Sequence, residues 1–350
     1  MTKKFNIDQH EIGNFLKPFV IAELSANHNG KIENVFLLID EAKKSGAHAI
    51  KLQTYHPDLI TLNSNNEDFK IKEGHWKGST LYDLYSKGYT PWEWHKNIFD
   101  YCHSVGMTIF SSPFDNSAVD LLEDLNTPAY KIASFELVDI PLIKYAASTR
   151  KPLIMSVGMA NKEEICEAIS AAKDSGCDNL ALLHCVSNYP AKPEEFNLKE
   201  IKNLADEFKV IVGLSDHTIG NVVAISSVIL GAAIIEKHLT LNRMNNGLDD
   251  TFSSEPEEFK LLCQDVEDAW KSLGQKSFER CNGEKENIKY RKSLYFIIDL
   301  NAGDIITEKS IRSVRPGYGI KPKFFSEIIG KRVKASVKKF TPVLFELIEG

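Results

Sequence analysis

From Phe19 to about residue 273, short apolar runs alternate with amphipathic stretches. The runs are FVIAE, HAIKLQTY, MTIFSSPF, AYKIAS, KPLIMSVG, NLALLHCV, VIVGLSDHT and AAIIEKHLT. They are rich in Val, Ile and Leu and continuous rather than alternating, as strands buried on both faces of a parallel sheet are. The stretches between them carry apolar residues three and four apart, the spacing of a helix packed on a sheet. Val35, Leu38, Ile39 and Ala42 form the first such stripe, and Gly46 ends it. Thr90 is placed as N-cap and Pro91 as first residue of the helix that runs through WEWHKNIFDYCHSVG, and Asp115 caps the helix after FSSPF. Eight strand–helix units in about 255 residues predict an α/β fold, a closed (β/α)8 TIM barrel, ahead of an open doubly wound sheet. No GxGxxG follows the first strand and no Walker A sequence occurs.

The rhythm breaks in three places. Residues before Phe19 read as a polar lead-in. Residues 57–89 are polar, aromatic and irregular, too long for a plain connection, and are expected to form a lid or a subunit contact. Residues 277–289 (SFERCNGEKENIK) turn charged and read as a linker. Beyond them, residues 290–350 form a small second domain with short β-like runs and NAGD and PGYG turns. The barrel domain is thus expected over residues 1–276. From Glu286 onward there are 13 Lys/Arg against 7 Asp/Glu, so the small domain is basic. A core of that size is marginal alone, and the domain is expected to dock on its own barrel or on a partner subunit.

The formal net charge of the 350-residue chain is −6, which argues against nucleic acid as the main partner. Its six cysteines include no CxxC pair and read as reduced thiols of a cytoplasmic protein. MTKKFNIDQHEIG lacks the apolar core of a signal peptide, and no run of about eighteen apolar residues occurs, so no membrane partner is expected.

Barrels keep their chemistry at the C-terminal strand ends. The polar residues there are Glu23, Lys51, Gln53, Ser112, Lys131, Ser134, Glu136, Ser156, Ser187, Ser215, His217, Glu236 and His238. A lysine inside a buried strand is costly unless it meets an anion. Lys51 and Lys131 can neutralise a phosphate or carboxylate, with the Ser134, Ser156 and Ser215 hydroxyls as donors. A Schiff-base lysine is the catalytic alternative, and pairing with barrel carboxylates alone is the structural one. His217 and His238 fall at the same edge of adjacent parallel strands, a two-nitrogen set for an open metal site. Oxygen-rich surroundings favour manganese or magnesium over a thiolate zinc site. Glu23 and Glu236 are candidate general bases or positioning groups. Of the SANHNG and NNGLDD turns as hydroxyl binders, the second offers Asp249.

IAELSANHNG, AIKLQTY, FSSPFD, YKIASFE, GLSDHTIG and EKHLT resemble, in order and spacing, the sialic acid synthase family. Its members condense phosphoenolpyruvate with an amino-sugar aldehyde to give a nonulosonic acid. The likeness covers nearly the whole chain, and RPGYG resembles the family's C-terminal SAF (antifreeze-like) domain. ELSANH, the TLNS and LYDLYSK segments and CVSNYP look most like the pseudaminic acid branch, which uses 2,4-diacetamido-2,4,6-trideoxy-L-altrose. Ser187 departs from the asparagine usual in sialic acid synthases, which speaks against N-acetylmannosamine as the sugar. The resemblance implies phosphoenolpyruvate contacts from Lys51, Lys131, Ser134, Ser156, Ser187 and Ser215. It implies a divalent metal, Mn2+ with Mg2+ or Co2+ as alternatives, on His217 and His238. Sugar contacts fall on Gln53, Tyr189, Glu236 and Asp249, with Glu23 beside the reacting centre. Arg315 corresponds to the residue that reaches across from the other subunit, which implies a domain-swapped homodimer.

Overall fold

A computed structural model describes residues 4–74 and 76–349. The chain divides into two compact units, Met1–Gly274 and Gln275–Gly350.

In the first unit, eight parallel strands close into a barrel among the described residues. They are β3 (Phe19–Glu23), β4 (Ala49–Thr54), β5 (Thr108–Pro113), β6 (Tyr130–Ile132), β7 (Leu153–Ser156), β8 (Leu180–Cys185), β9 (Ile211–Asp216) and β10 (Ile234–His238). The predicted barrel is therefore the observed fold. Strand β10 pairs with both β9 and β3, which closes the ring. The outer helices include α1 (Ile32–Ser45), α4 (Trp92–Ser104), α5 (Asn116–Asp124), α6 (Ile140–Ser148), α7 (Lys162–Asp174), α8 (Lys199–Phe208), α9 (Val222–Ile229) and α10 (Pro256–Ser272). Helix α1 buries Val35, Leu38, Ile39 and Ala42 and ends at Gly46, whose φ of 92° no other residue type adopts cheaply. Asp115 caps α5 through the amides of Ser117 and Ala118. Helix α4 begins one residue later than expected, with Pro91 at the cap position and no side-chain cap. A proline has no N–H to lose there.

Side chains alternate between two surfaces of the barrel wall. Val20, Ala22, Ile50, Leu52, Ile132, Met155, Leu182, Val212, Leu214 and Ile235 pack outward against the helices. Phe19, Ile21, Ala49, Phe110, Ile154, Ala181, Leu183, Ile211 and Ile234 form a separate cluster inside. The period of two then fixes what comes next on the inner surface. Above the apolar layer it carries Glu23, Lys51, Gln53, Ser112, Lys131, Ser156, Cys185, Ser215, Glu236 and His238. One end of the lumen is hydrocarbon, and the other is charged.

The polar lead-in is a hairpin, β1 (Lys4–Ile7) paired antiparallel with β2 (His10–Gly13). Its Phe5, Ile7 and Ile12 belong to the inner apolar cluster and seal the N-terminal end of the barrel. Residues 57–89 are more regular than their composition implies, with α2 (Pro57–Ile60) and α3 (Leu81–Gly88). Thr80 caps α3 through the Asp83 amide.

The second unit contains the antiparallel pair β11 (Ser293–Phe296) and β12 (Ile311–Val314). Leu294, Phe296, Ile306, Ile311, Ile328, Val333 and Val343 make its own small core. The stretch expected to be a linker holds a short exposed turn of helix, Asn282–Lys285. No helix among the described residues is long and apolar enough to cross a membrane.

Candidate active site at the C-terminal end of the barrel

Register brings the charges together. Glu23 pairs with Lys51 across β3 and β4, and Glu236 with Ser215 across β10 and β9. The Lys51 ammonium lies 2.5 Å from Glu23 Oε2 and 3.6 Å from Glu236 Oε1, and it donates to Ser112 Oγ at 3.2 Å. Lys131 Nζ sits 3.7 Å from the same Glu236 oxygen, to which Ser215 Oγ donates at 3.3 Å. Lys51 is 3% exposed and Lys131 2%, so both charges are deeply buried. Lys51 is shared between the two carboxylates, whereas Lys131 approaches Glu236 alone among the described residues.

The two acids are pushed apart. Burial raises Glu23 and the Glu236 charge adds to that, with Lys51 offsetting part of it, so its carboxyl stays above the ordinary range. Burial also opposes ionisation of Glu236, but Lys131, Lys51 and His217 outweigh it and hold it below. Glu23 is thus the member suited to take or hold a proton, and Glu236 the fixed anion. Burial holds the Lys131 ammonium below its usual value, while Glu23 and Glu236 overcome burial at Lys51 and hold it above. An incoming anion has most to gain at Lys131, whose nearest carboxylate is beyond hydrogen-bond reach.

Beside Lys131 is a nest of hydroxyls. Gly158 N donates to Ser134 Oγ at 3.1 Å. A Cβ on Gly158 would come within 2.5 Å of Ser187 Oγ and 2.8 Å of Ser134 Oγ, so only glycine lets the two serines close up. Ser156 Oγ is buried with no hydrogen-bond partner among the described residues. A buried hydroxyl is rarely left without a partner, so it is free to meet a water or a ligand oxygen.

His217 and His238 face each other with ring centroids 5.4 Å apart. Nδ1 of His217 donates to the Val186 carbonyl at 3.0 Å, which leaves Nε2 as the free lone pair. Burial and the neighbouring cations hold His238 well below its usual value, hence neutral, and its Nδ1 has no partner among the described residues. Burial opposes charge on His217, but Cys185 and the Val186 carbonyl outweigh it and hold the ring above its usual value, so a divalent ion would bind there in exchange for a proton, with neutral His238 as the second nitrogen and water or substrate oxygens completing the set. No group of three or more His, Cys, Asp or Glu that could hold a metal exists among the described residues, so any such site is open.

Behind the histidines, on the outer surface, Lys237 Nζ donates to Asp216 Oδ2 and to the Thr218 carbonyl, both at 2.7 Å. Asp216 Oδ1 accepts from the Thr218 amide and hydroxyl at 2.9 and 2.7 Å. This buried clamp spans His217 and lies next to Glu236 and His238. Sequence reasoning passed over it, because EKHLT alone does not tell which of its charges faces the lumen.

The lumen opens into a pocket at the mouth of the barrel. Its lining combines polar Ser25, Gln53, Glu136, His238 and Asp249 with aromatic and aliphatic side chains. Gln53 Nε2 donates to Glu23 Oε1 at 3.0 Å and to Ser25 Oγ at 3.1 Å, and Ser25 in turn donates to Asp249. Burial pushes the Glu136 carboxyl up to about 7. The Tyr189 ring lies 4.4 Å from His217 and 5.3 Å from Phe252. Every barrel residue singled out in the sequence is therefore at this end. Arg315 lies in the second compact unit, exposed.

The NeuB family pattern matches residues 38–278, and the SAF domain matches residues 291–349. Pseudaminic acid synthase of Campylobacter jejuni is 42% identical over 331 residues, covering 94% of this chain and 96% of that protein. N,N'-diacetyllegionaminic acid synthase of Legionella pneumophila is 36% identical over 344 residues, covering 96% of each. The crystal structure of an N-acetylneuraminic acid synthetase from Leptospira borgpetersenii, in complex with citrate, superposes with a TM-score of 0.73 at 30% identity. It covers 82% of this chain and 96% of that one.

Proposed function

We propose that this chain, which belongs to the NeuB family, is a pseudaminic acid synthase. It condenses phosphoenolpyruvate with 2,4-diacetamido-2,4,6-trideoxy-L-altrose, releasing phosphate. The near-full-length 42% identity to a protein of that name supports this choice of sugar over the legionaminic acid precursor, whose synthase is 36% identical. The observation that carries the chemistry is the buried pair of lysines beside a nest of serines, of which Ser156 has no partner among the described residues; this suits an anionic enol ester.

In this reading the phosphate lies on Lys131, Lys51 and the Ser134, Ser156, Ser187 and Ser215 hydroxyls. Gln53, Tyr189, Glu236 and Asp249 orient the sugar in its open-chain form. C3 of phosphoenolpyruvate attacks the aldehyde carbon, and positive charge develops at C2. The Glu23 and Glu236 carboxylates lower the energy of that cation. Water adds at C2 as Glu23 accepts its proton. The tetrahedral intermediate then breaks its C2–O bond, and phosphate leaves with the bridging oxygen, its charge met by the two lysines. A divalent ion on His217 and His238, with Mn2+ preferred to Mg2+ or Co2+, would supply Lewis-acid polarisation of the aldehyde oxygen.

A homodimer belongs to the same proposal. Phe135, Val138, Met159, Ile219, Val222 and Met244 are exposed apolar residues, all just beyond C-terminal strand ends. Such a rim suits burial under a second subunit, whose Arg315 would face the sugar's acetamido groups. The cytoplasm, where phosphoenolpyruvate is made, is the expected compartment. Incubation with phosphoenolpyruvate, Mn2+ and a panel of amino sugars tests the function. Phosphate release with the trideoxy-altrose sugar supports it, whereas turnover of N-acetylmannosamine or the legionaminic precursor alone refutes it.

A further inference from the structure

The ladder between β9 and β10 runs out just short of the two histidines. Its last paired residues are Asp216 and Lys237, each one position before a histidine. His238 is held from its far side, where it pairs with Glu23 of β3 and its carbonyl accepts from the Ser254 amide at 2.9 Å. His217 is held from the other, its carbonyl accepting from the Ala191 amide at 3.0 Å. Across the seam between them, the connection passes to side chains.

Those side chains are the clamp of Lys237, Asp216 and Thr218, each no more than 2% exposed. Its hydrogen bonds bracket His217. Asp216 Oδ1 accepts from the Thr218 amide and hydroxyl, while Lys237 Nζ reaches from β10 to Asp216 Oδ2 on one side and the Thr218 carbonyl on the other. Side chains alternate along a strand, so an outward Lys237 is flanked by inward Glu236 and His238. The same outer layer holds Leu214, Ile235 and Leu239. Apolar side chains in place of the ion pair would hold the strands about as well, because desolvating two charges offsets much of their attraction. What apolar side chains lack is direction.

We infer that Lys237, Asp216 and Thr218 are positioning residues that fix the spacing and aim of the His217 and His238 nitrogens toward a divalent ion. Lys237 and Asp216 face away from the lumen, so the clamp acts through the histidines and not on substrate. The inference rests on the proposed metal site and goes beyond it, giving a role to residues that touch neither substrate nor ion. Outer partners that orient metal ligands are typically worth about 10–100-fold in metal affinity.

Manganese binding by the full-length chain, followed at fixed pH through the paramagnetic resonance of free Mn2+, tests the inference without turnover. Thr218→Val removes one hydrogen bond and strands no charge, whereas Lys237→Met/Asp216→Asn removes both charges together. Mn2+ affinity is expected to fall by about 10-fold in the first and about 100-fold in the second. Calorimetric affinity for phosphoenolpyruvate without metal is expected to stay at the wild-type value in both. Thr218→Ser, which keeps the hydroxyl, is expected to retain Mn2+ affinity. Unchanged Mn2+ affinity in the folded Thr218→Val chain overturns the inference. So does a fall in Mn2+ and phosphoenolpyruvate affinity by one factor, which would make the clamp scaffold alone. A wild-type chain that binds phosphoenolpyruvate but no Mn2+ overturns the metal site and the inference together.

Discussion

The two ends of the barrel lumen are built from the same strands and spend their burial differently. At the floor, Phe5, Ile7, Ile12, Phe19, Ile21 and their neighbours bury carbon against carbon. At the other end the next inward positions of those strands bury Glu23, Lys51, Lys131, Ser215 and Glu236. Floor residues gain by leaving water, roughly 25 cal/mol per Å2 of apolar surface. Rim residues lose by it and recover the loss only through one another and, on the proposed reading, through substrate. The comparison separates what holds the barrel together from what makes it reactive, although two residues along one strand separate the two layers.

Four measurements can break or sharpen that contrast. The largest expected effect falls on the buried, outward-pointing Lys237–Asp216 ion pair at the rim end. Lys237→Met strands the Asp216 charge and is expected to cost about 3–5 kcal/mol of stability. Denaturant melts check this, and Lys237→Met/Asp216→Asn should recover part of the loss because no charge stays unpaired. At the floor, Ile12→Val removes one methylene and should cost about 0.5–1.5 kcal/mol. Its kcat/KM should stay at the wild-type value, and a drop would tie the floor to the chemistry.

The third measurement is one of pH, and the ends should answer with opposite signs. Glu136 at the rim has its carboxyl raised from 4.5 to about 7 by burial. Its contribution to stability is complete below about 4.5 and lost as pH rises through about 7. His48 at the floor is lowered from 6.5 to about 4 by burial and by the His10 and Lys17 charges. Its contribution is present above 6.5 and lost as pH falls through about 4. Tm against pH for Glu136→Gln and His48→Gln should therefore flatten on opposite limbs. Flattening on the same limb would contradict the assignment.

The sequence and the structure agree where residue type conflicts with surroundings. Lys51 and Lys131 stood out because an ammonium inside an apolar run needs a reason, and the histidines because two parallel strands end in them. The floor hairpin was not legible, since two four-residue strands carry too little periodicity to be told from a polar tail. The Lys237–Asp216 clamp was hidden because inward and outward cannot be told apart before the register is known. Residues 57–89 looked irregular because Ile60, Trp76, Leu84 and Tyr85 share no simple spacing and meet only around the pocket. Thr90 was the wrong cap by one position because Pro91 can serve as a boundary on either side of the first turn.

Lys131 decides between the two kinds of burial, being long, 2% exposed and beyond hydrogen-bond reach of its nearest carboxylate. Calorimetric titration of Lys131→Met with phosphoenolpyruvate, run beside its thermal melt, is the measurement to make. If that ammonium is there for the anion, affinity falls by about 100-fold or more while Tm holds or rises, because a desolvated charge has been removed. Unchanged affinity with a collapsed Tm would make Lys131 a structural residue and contradict the proposed site.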